Sequence, residues 1–222
     1  MTPYVVLPHD GETLTAPTLD ELRALTGRAP LGLVVFDYGF ASIEPLASFP
    51  QLETLKIQTA GKITSLDGVQ ALTSLRTLLI APPPSWDGTS RRIEIDSYAP
   101  LASLANLERL SLLRVRPFDL DLSPIASMRQ LEELDIAGVP EFTVERFARL
   151  SLQLPGTKGR CLQPYFVIDG VGFCARCRGQ KVMLTGAPKR GRRWLCPTCD
   201  AKMLAKHVQQ WNEIAHGKQS TR

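Results

Sequence analysis

Leu131-Glu132-Glu133-Leu134-Asp135-Ile136 is the last of four copies of one pattern, Leu-x-x-Leu-x-(Leu/Ile). The other three are Leu52/Leu55/Ile57, Leu75/Leu78/Ile80 and Leu107/Leu110/Leu112, and the first leucines lie 23, 32 and 24 residues apart. A weaker copy precedes them, with Leu33 and Val35 in the last two positions. Each copy is entered by a second apolar series in steps of three: Ile43/Leu46/Phe49, Leu66/Val69/Leu72, Tyr98/Leu101/Leu104 and Leu122/Ile125/Met128. Steps of three place side chains on one face of a 3₁₀ or short helical turn, and a step of two places them on one face of a strand. Each unit therefore reads as a short strand joined to the next by a tight turn. No unit can bury its own apolar face, but stacked neighbours share one continuous core.

The pattern resembles the short, internalin-like class of leucine-rich repeats, with a period of about 22 residues. The resemblance covers about Leu31 to Leu150 and implies an α/β repeat fold, a leucine-rich-repeat solenoid, used as a protein-binding scaffold. The Asn or Cys that usually follows the strand is absent; Thr59, Pro82 and Val115 stand near that place. The long step carries an insertion, Ala81 to Ser90, whose Pro cluster and Asp-Gly mark it as a loop. Its Trp86 is a candidate contact residue.

A stacked array needs capped ends. Upstream, Thr18-x-x-Glu21 is a capping-box signal for a short helix with Leu19, Leu22 and Leu25 as its apolar side. Tyr4-Val5-Val6-Leu7 reads as a strand before it. Downstream, Val144, Phe147 and Leu150 define a short helix that closes the array.

If Leu55 and Ile57 point inward, alternation sends Thr54, Lys56 and Gln58 outward. The equivalent outward residues are Val34 and Phe36; Thr77, Leu79 and Ala81; Arg109, Ser111 and Leu113; Glu133, Asp135 and Ala137. Phe36, Leu79 and Leu113 then form an apolar patch rimmed by Lys56, Arg109, Glu133 and Asp135, which suits a protein partner. The patch is lost if the C-terminal module folds over it or if the register slips by one residue.

Charge divides the 222-residue chain. Pro155 to Arg222 holds 13 Lys+Arg and 3 Asp+Glu, a net of +10, whereas Met1 to Leu154 holds 13 and 19, a net of −6. Leu154-Pro155-Gly156-Thr157-Lys158-Gly159 reads as the boundary loop. Three regions follow: an N-terminal cap over 1–30, the repeats over 31–154, and a linker strand with a small module over 155–222.

That module carries the sharpest chemical signal. Cys174-x-x-Cys177 and Cys196-x-x-Cys199 are separated by 18 residues, a structural zinc spacing. Two C-x-x-C knuckles supply four soft thiolates to one tetrahedral Zn²⁺ and leave no open position, so the metal is structural. Lys181–Thr185 and Arg192–Leu195 read as a hairpin, and Leu204, Val208, Trp211 and Ala215 recur at helical spacing up to Gly217. Knuckle, hairpin, knuckle and helix together resemble a treble-clef or zinc-ribbon finger. Cys161 is left over, in an apolar, strand-like stretch from Arg160 to Ile168, and reads as a buried thiol. Five cysteines, four of them paired as metal ligands, fit a reducing, cytoplasmic setting.

The hairpin tip concentrates Lys189, Arg190, Arg192 and Arg193 beside Trp194. These residues fit either a nucleic acid or an acidic partner surface. No phosphate-loop, zinc-protease or nucleophile-elbow motif occurs, so no enzyme activity is expected. The longest apolar run is too short to cross a membrane, and no secretory leader is read at the N-terminus. The expected function is a non-catalytic protein–protein interaction scaffold with one structural Zn²⁺. The alternatives are a nucleic-acid-binding protein acting through the basic finger, or a bacterial immunity-type inhibitor.

Overall fold

A computed structural model describes residues 12–15, 17–59, 61–83, 91–167, 172–186 and 193–216. The elements in chain order are β1 (Glu12–Thr15), α1 (Leu19–Thr26), β2 (Gly32–Phe36), β3 (Thr54–Gln58), β4 (Thr77–Ala81), β5 (Ile93–Ile95), β6 (Arg109–Leu113), β7 (Val115–Pro117), α2 (Ser123–Ala126), β8 (Glu133–Ala137), α3 (Val144–Gln153), β9 (Tyr165–Val167), β10 (Val182–Leu184), β11 (Trp194–Leu195) and α4 (Ala201–Ala215). The chain divides into two compact units after Val139.

The first unit is mixed α/β and built on a six-stranded parallel sheet in the order β1-β2-β3-β4-β6-β8. The apolar register runs straight across it. Leu33, Leu55, Leu78, Leu110 and Leu134 form one row, and Val35, Ile57, Ile80, Leu112 and Ile136 the next. None of the ten is more than 3% exposed. The series in steps of three is buried as well, on 3₁₀ turns at Glu44–Leu46, Val69–Ala71 and Ala99–Ser103 and on the single turn of α2. Pro45, Pro100 and Pro124 open three of these turns, where a preset φ and a missing N–H cost nothing. Gly68 opens the fourth at φ +94°, and a Cβ there would lie 2.3 Å from the Glu44 nitrogen of the preceding turn. Only glycine allows that approach.

Backbone hydrogen bonds repeat with the sequence. Just before each strand one carbonyl accepts two N–H groups from the next unit. Leu31 O accepts from Glu53 and Thr54 (2.8 and 3.1 Å), Glu53 O from Arg76 and Thr77 (2.8 and 2.9 Å), Arg76 O from Glu108 and Arg109 (both 2.9 Å), and Glu108 O from Glu132 and Glu133 (2.8 and 3.0 Å). Side-chain amides add hydrogen bonds at the residue before three of the four first leucines, Leu52, Leu107 and Leu131. Gln51 Nε2 donates to Pro30 O (3.5 Å), Asn106 Nδ2 to Thr73 O (2.9 Å) and Gln130 Nε2 to Leu104 O (2.7 Å). Thr59, where the usual Asn is missing, is fully buried; its hydroxyl donates to Tyr38 O at 2.8 Å and its N–H to Ala81 O at 3.1 Å.

Several expectations change. The capping box on α1 is present, with Glu21 N–H donating to Thr18 Oγ1 (3.2 Å) and Thr18 N–H to Glu21 (2.7 Å). Leu22 and Leu25 are buried, but Leu19 at the first helical position is 47% exposed. Strand β1 pairs with β2 and had no strong sequence signal. The strand expected at Tyr4–Leu7 and most of the insertion, including Trp86, lie outside the described residues. Ala81 ends β4 rather than opening the loop, and β5, unforeseen, pairs in parallel with β7 in a separate two-stranded sheet.

The second unit begins at Pro140, so α3, expected to close the repeats, groups with the cysteine module instead. Val144, Phe147, Ala148 and Leu150 are the buried side of α3, and this helix packs on α4, whose buried side is His207, Trp211 and Ala215. A three-stranded antiparallel sheet, β11-β10-β9, completes the unit. Its apolar centre is Val182, Leu184 and Leu195, with Tyr165 and Leu204 packed against them. The stretch expected as one strand from Arg160 is a 3₁₀ turn over Arg160–Leu162, with Cys161 buried, followed by the short β9. Gly186, just after β10, sits at φ +65°, and a Cβ on it would lie 2.3 Å from Val144 N at the start of α3.

Candidate metal centre and interaction face

The sulfurs of Cys174, Cys177, Cys196 and Cys199 all lie within 4.8 Å of one another. Cys174 to Cys199 is 3.8 Å and Cys177 to Cys196 is 3.4 Å. Four thiolates about 2.3 Å from a tetrahedral Zn²⁺ stand about 3.8 Å apart, so the cluster has the dimensions of a closed four-sulfur site.

Two knuckles hold it. In the first, Cys174 N–H donates to Gly179 O and Arg178 N–H to Cys174 O, both at 2.9 Å, with Arg178 at φ +61°. The Phe173–Gln180 bridge clamps its base. In the second, Cys199 N–H points at Cys196 Sγ (3.4 Å), and Asp200 closes the turn. Asp200 Oδ2 accepts from Cys196 N–H at 2.9 Å, Asp200 N–H donates to Cys196 O at 2.8 Å, and Asp200 O accepts from Met203 and Leu204 to start α4. Asp200 is the positioning residue that spacing alone did not single out. Its signal was an acidic residue directly after the second C-x-x-C and before a helical run.

The thiols are not equivalent. Backbone N–H groups of Cys177 and Arg176 aimed at Cys174 hold its thiol down to about 6. The backbone of Cys199 lowers Cys196 in the same way. A hydrogen bond with Cys177, then burial, pushes Cys199 up to about 12. Amide dipoles favour thiolate at two positions, while four crowded sulfurs cannot all ionise without a compensating cation. The donor set therefore fits one divalent, thiophilic metal ion. Zn²⁺ would be held by all four cysteines and would cross-link the two knuckles.

The outward face of the six-stranded sheet follows the expected alternation, except that Gln58 at the end of β3 and the outward residues of β4 are buried. Val34, Lys56, Leu79, Ser111 and Asp135 share one rung, and Thr54, Thr77, Arg109 and Glu133 share another. Arg109 and Glu133 are exposed, and Phe36, Lys56, Leu113 and Asp135 are half-buried. Leu79, expected at the middle of an exposed apolar patch, is only 4% exposed, and Thr77 and Ala81 beside it are buried too. Strand β4 is thus covered on both faces, as Thr-Leu-Leu-Ile-Ala reads when taken as a central parallel strand. Of the basic tip, Lys189, Arg190 and Arg192 lie outside the described residues, and Arg193 and Trp194 are half-buried on or beside β11.

No helix among the described residues is long and apolar enough to cross a membrane. No family model and no curated protein matches the chain. Among solved structures, internalin C2 from Listeria monocytogenes is 21% identical over 64% of this chain and 73% of its own, with a TM-score of 0.27.

Proposed function

We propose that the chain is a leucine-rich-repeat scaffold that binds another protein on the outward face of its parallel sheet, with a C-terminal finger folded around one structural Zn²⁺. The observation that carries the reading is the register. Five successive strands bury the same two positions, which leaves the opposite face outside that core on every strand except β4 and the end of β3. There it offers apolar Phe36 and Leu113 among Lys56, Arg109, Glu133 and Asp135. Mixed apolar and charged groups on a rigid sheet suit a protein partner. A closed four-thiolate site has no position for substrate, which supports a reading of the activity as binding. Cysteines kept as thiols fit a reducing compartment such as the cytoplasm.

The test is crosslinked affinity capture with the full chain and with an Arg109→Glu/Leu113→Asp variant whose zinc content and melting are unchanged. The expected result is a defined protein that the wild type recovers, that the variant loses, and that persists in raised salt. Recovery that ignores these two substitutions for every captured protein would overturn the reading.

A further inference from the structure

The register of the small sheet places Phe166, Met183 and Trp194 in one rung, because Met183 opposes Phe166 on one side and Trp194 on the other. They lie on the face opposite the buried Val182, Leu184 and Leu195, and all three are half-buried. Both rings are held. The Arg160 guanidinium stands 5.4 Å from the centre of the Phe166 ring. Gly172, at φ +82°, runs so close that a Cβ there would be 3.1 Å from the Trp194 ring, with Lys181 next to it. Arg160 thus flanks the Phe166 end of the rung, and the Lys181 side chain leaves the backbone beside Gly172 at the Trp194 end. Phe173, next to Gly172 in the chain, is 59% exposed, and Arg176 and Arg178 further along the first knuckle are exposed too. From Lys158 to Cys199 the sequence has nine Lys+Arg and one carboxylate, Asp169. A Zn²⁺ held by four thiolates would offset only about two of those charges.

We infer that the rung Phe166–Met183–Trp194, with Arg160 and Lys181, is a binding surface for single-stranded nucleic acid. Its ligand must bring repeated negative charge and flat apolar groups in alternation. A nucleotide chain brings both, whereas an acidic peptide brings the charge without the ring. Bases in a duplex hide their faces in the stack, so the surface selects single strands. The strands stand about 4.8 Å apart, so the rung spans about 10 Å, room for one or two bases beside phosphates held at either end.

The experiment uses the full, metal-containing chain and a fluorescein-labelled, mixed-sequence DNA strand of about 12 nucleotides, read by anisotropy at low salt. The expected result is measurable binding, weakened about tenfold by Trp194→Leu, by Phe166→Leu and by Lys181→Glu, and largely kept by Trp194→Phe. The matched duplex should bind more weakly than the strand. Zinc content and melting, measured on each variant, confine the comparison to folded protein. Three outcomes would overturn the proposal: no binding at low salt, unchanged binding by both ring variants, or polyglutamate competing as well per charge as the oligonucleotide. The last would assign the basic surface to an acidic protein.

Discussion

The two units of this chain solve the same problem by opposite means. The repeat unit buries two apolar residues in register on each of β2, β3, β4, β6 and β8, and a second apolar series on the turns between them. Its burial is spread over many equivalent contacts between neighbouring strands and turns. The C-terminal unit packs α3 on α4 and adds a sheet of short strands with an apolar centre of three buried residues, beside four sulfurs gathered at one point. The short-strand region around the sulfurs is too small to close on hydrophobic burial alone and needs a cross-link. The repeat unit should therefore yield locally and by degrees, and the C-terminal unit abruptly when its cross-link is removed.

Removing the metal is the largest expected effect. Cys196→Ser, or a strong chelator, should abolish zinc retention and unfold the region around β10, β11 and α4, because a structural zinc site contributes on the order of 10 kcal/mol to folding. Hydrogen exchange should rise there and stay unchanged over β2 to β8. Equal loss of protection in both units would break the comparison.

Core truncation in the repeats comes next. Leu110→Ala on β6 should cost about 3 kcal/mol, since it deletes a buried side chain and leaves a cavity between stacked rows. Zinc stoichiometry should not change, and added zinc should not rescue it. A similar cost, about 2–3 kcal/mol, is expected where glycine permits close approach at positive φ. Gly68→Ala should then loosen the repeat turns, and Gly186→Ala should loosen α3 and the finger, each read by exchange in its own unit.

Smaller still is the amide ladder. Gln130→Leu should cost about 1 kcal/mol by removing one hydrogen bond and leaving Leu104 O without that donor, measured by denaturant midpoint. The least effect is expected from His207. Burial lowers its pKa, and the hydrogen bond with Pro164 O only partly opposes that. Its neutral form is favoured in the fold, so the contribution is complete above about pH 6.5 and is lost as pH falls through the lower folded value. The stability difference between wild type and His207→Gln should narrow as pH falls below 6.5. A pH-independent difference would assign His207 to packing alone.

Much of this was legible in the residue order. The leucine register, the turns in steps of three, the capping box at Thr18 and the four-cysteine spacing are all local patterns, and each reports a geometry that the chain imposes over a few residues. The amide ladder was legible in principle, since Gln51, Asn106 and Gln130 occupy one position of the repeat. It was overlooked because the expected Asn lies after the strand rather than before it.

Other features depend on which segments meet, and no local pattern records that. Leu79 alternates outward like Lys56 and Ser111, yet burial of β4 on both faces is a property of the folded sheet. Strand β9 is three residues long and becomes a strand only by pairing with β10. Helix α3 has an apolar side that would serve a repeat end as well as a finger, and its partner α4 lies some fifty residues further along the chain. The sequence by itself determined the period, the inward faces and the four cysteines that cluster, because these follow from short-range spacing and side-chain chemistry. The tertiary structure alone decided what is covered, where the units divide, and which aromatic and basic groups share a surface, because burial and juxtaposition arise between residues distant in sequence.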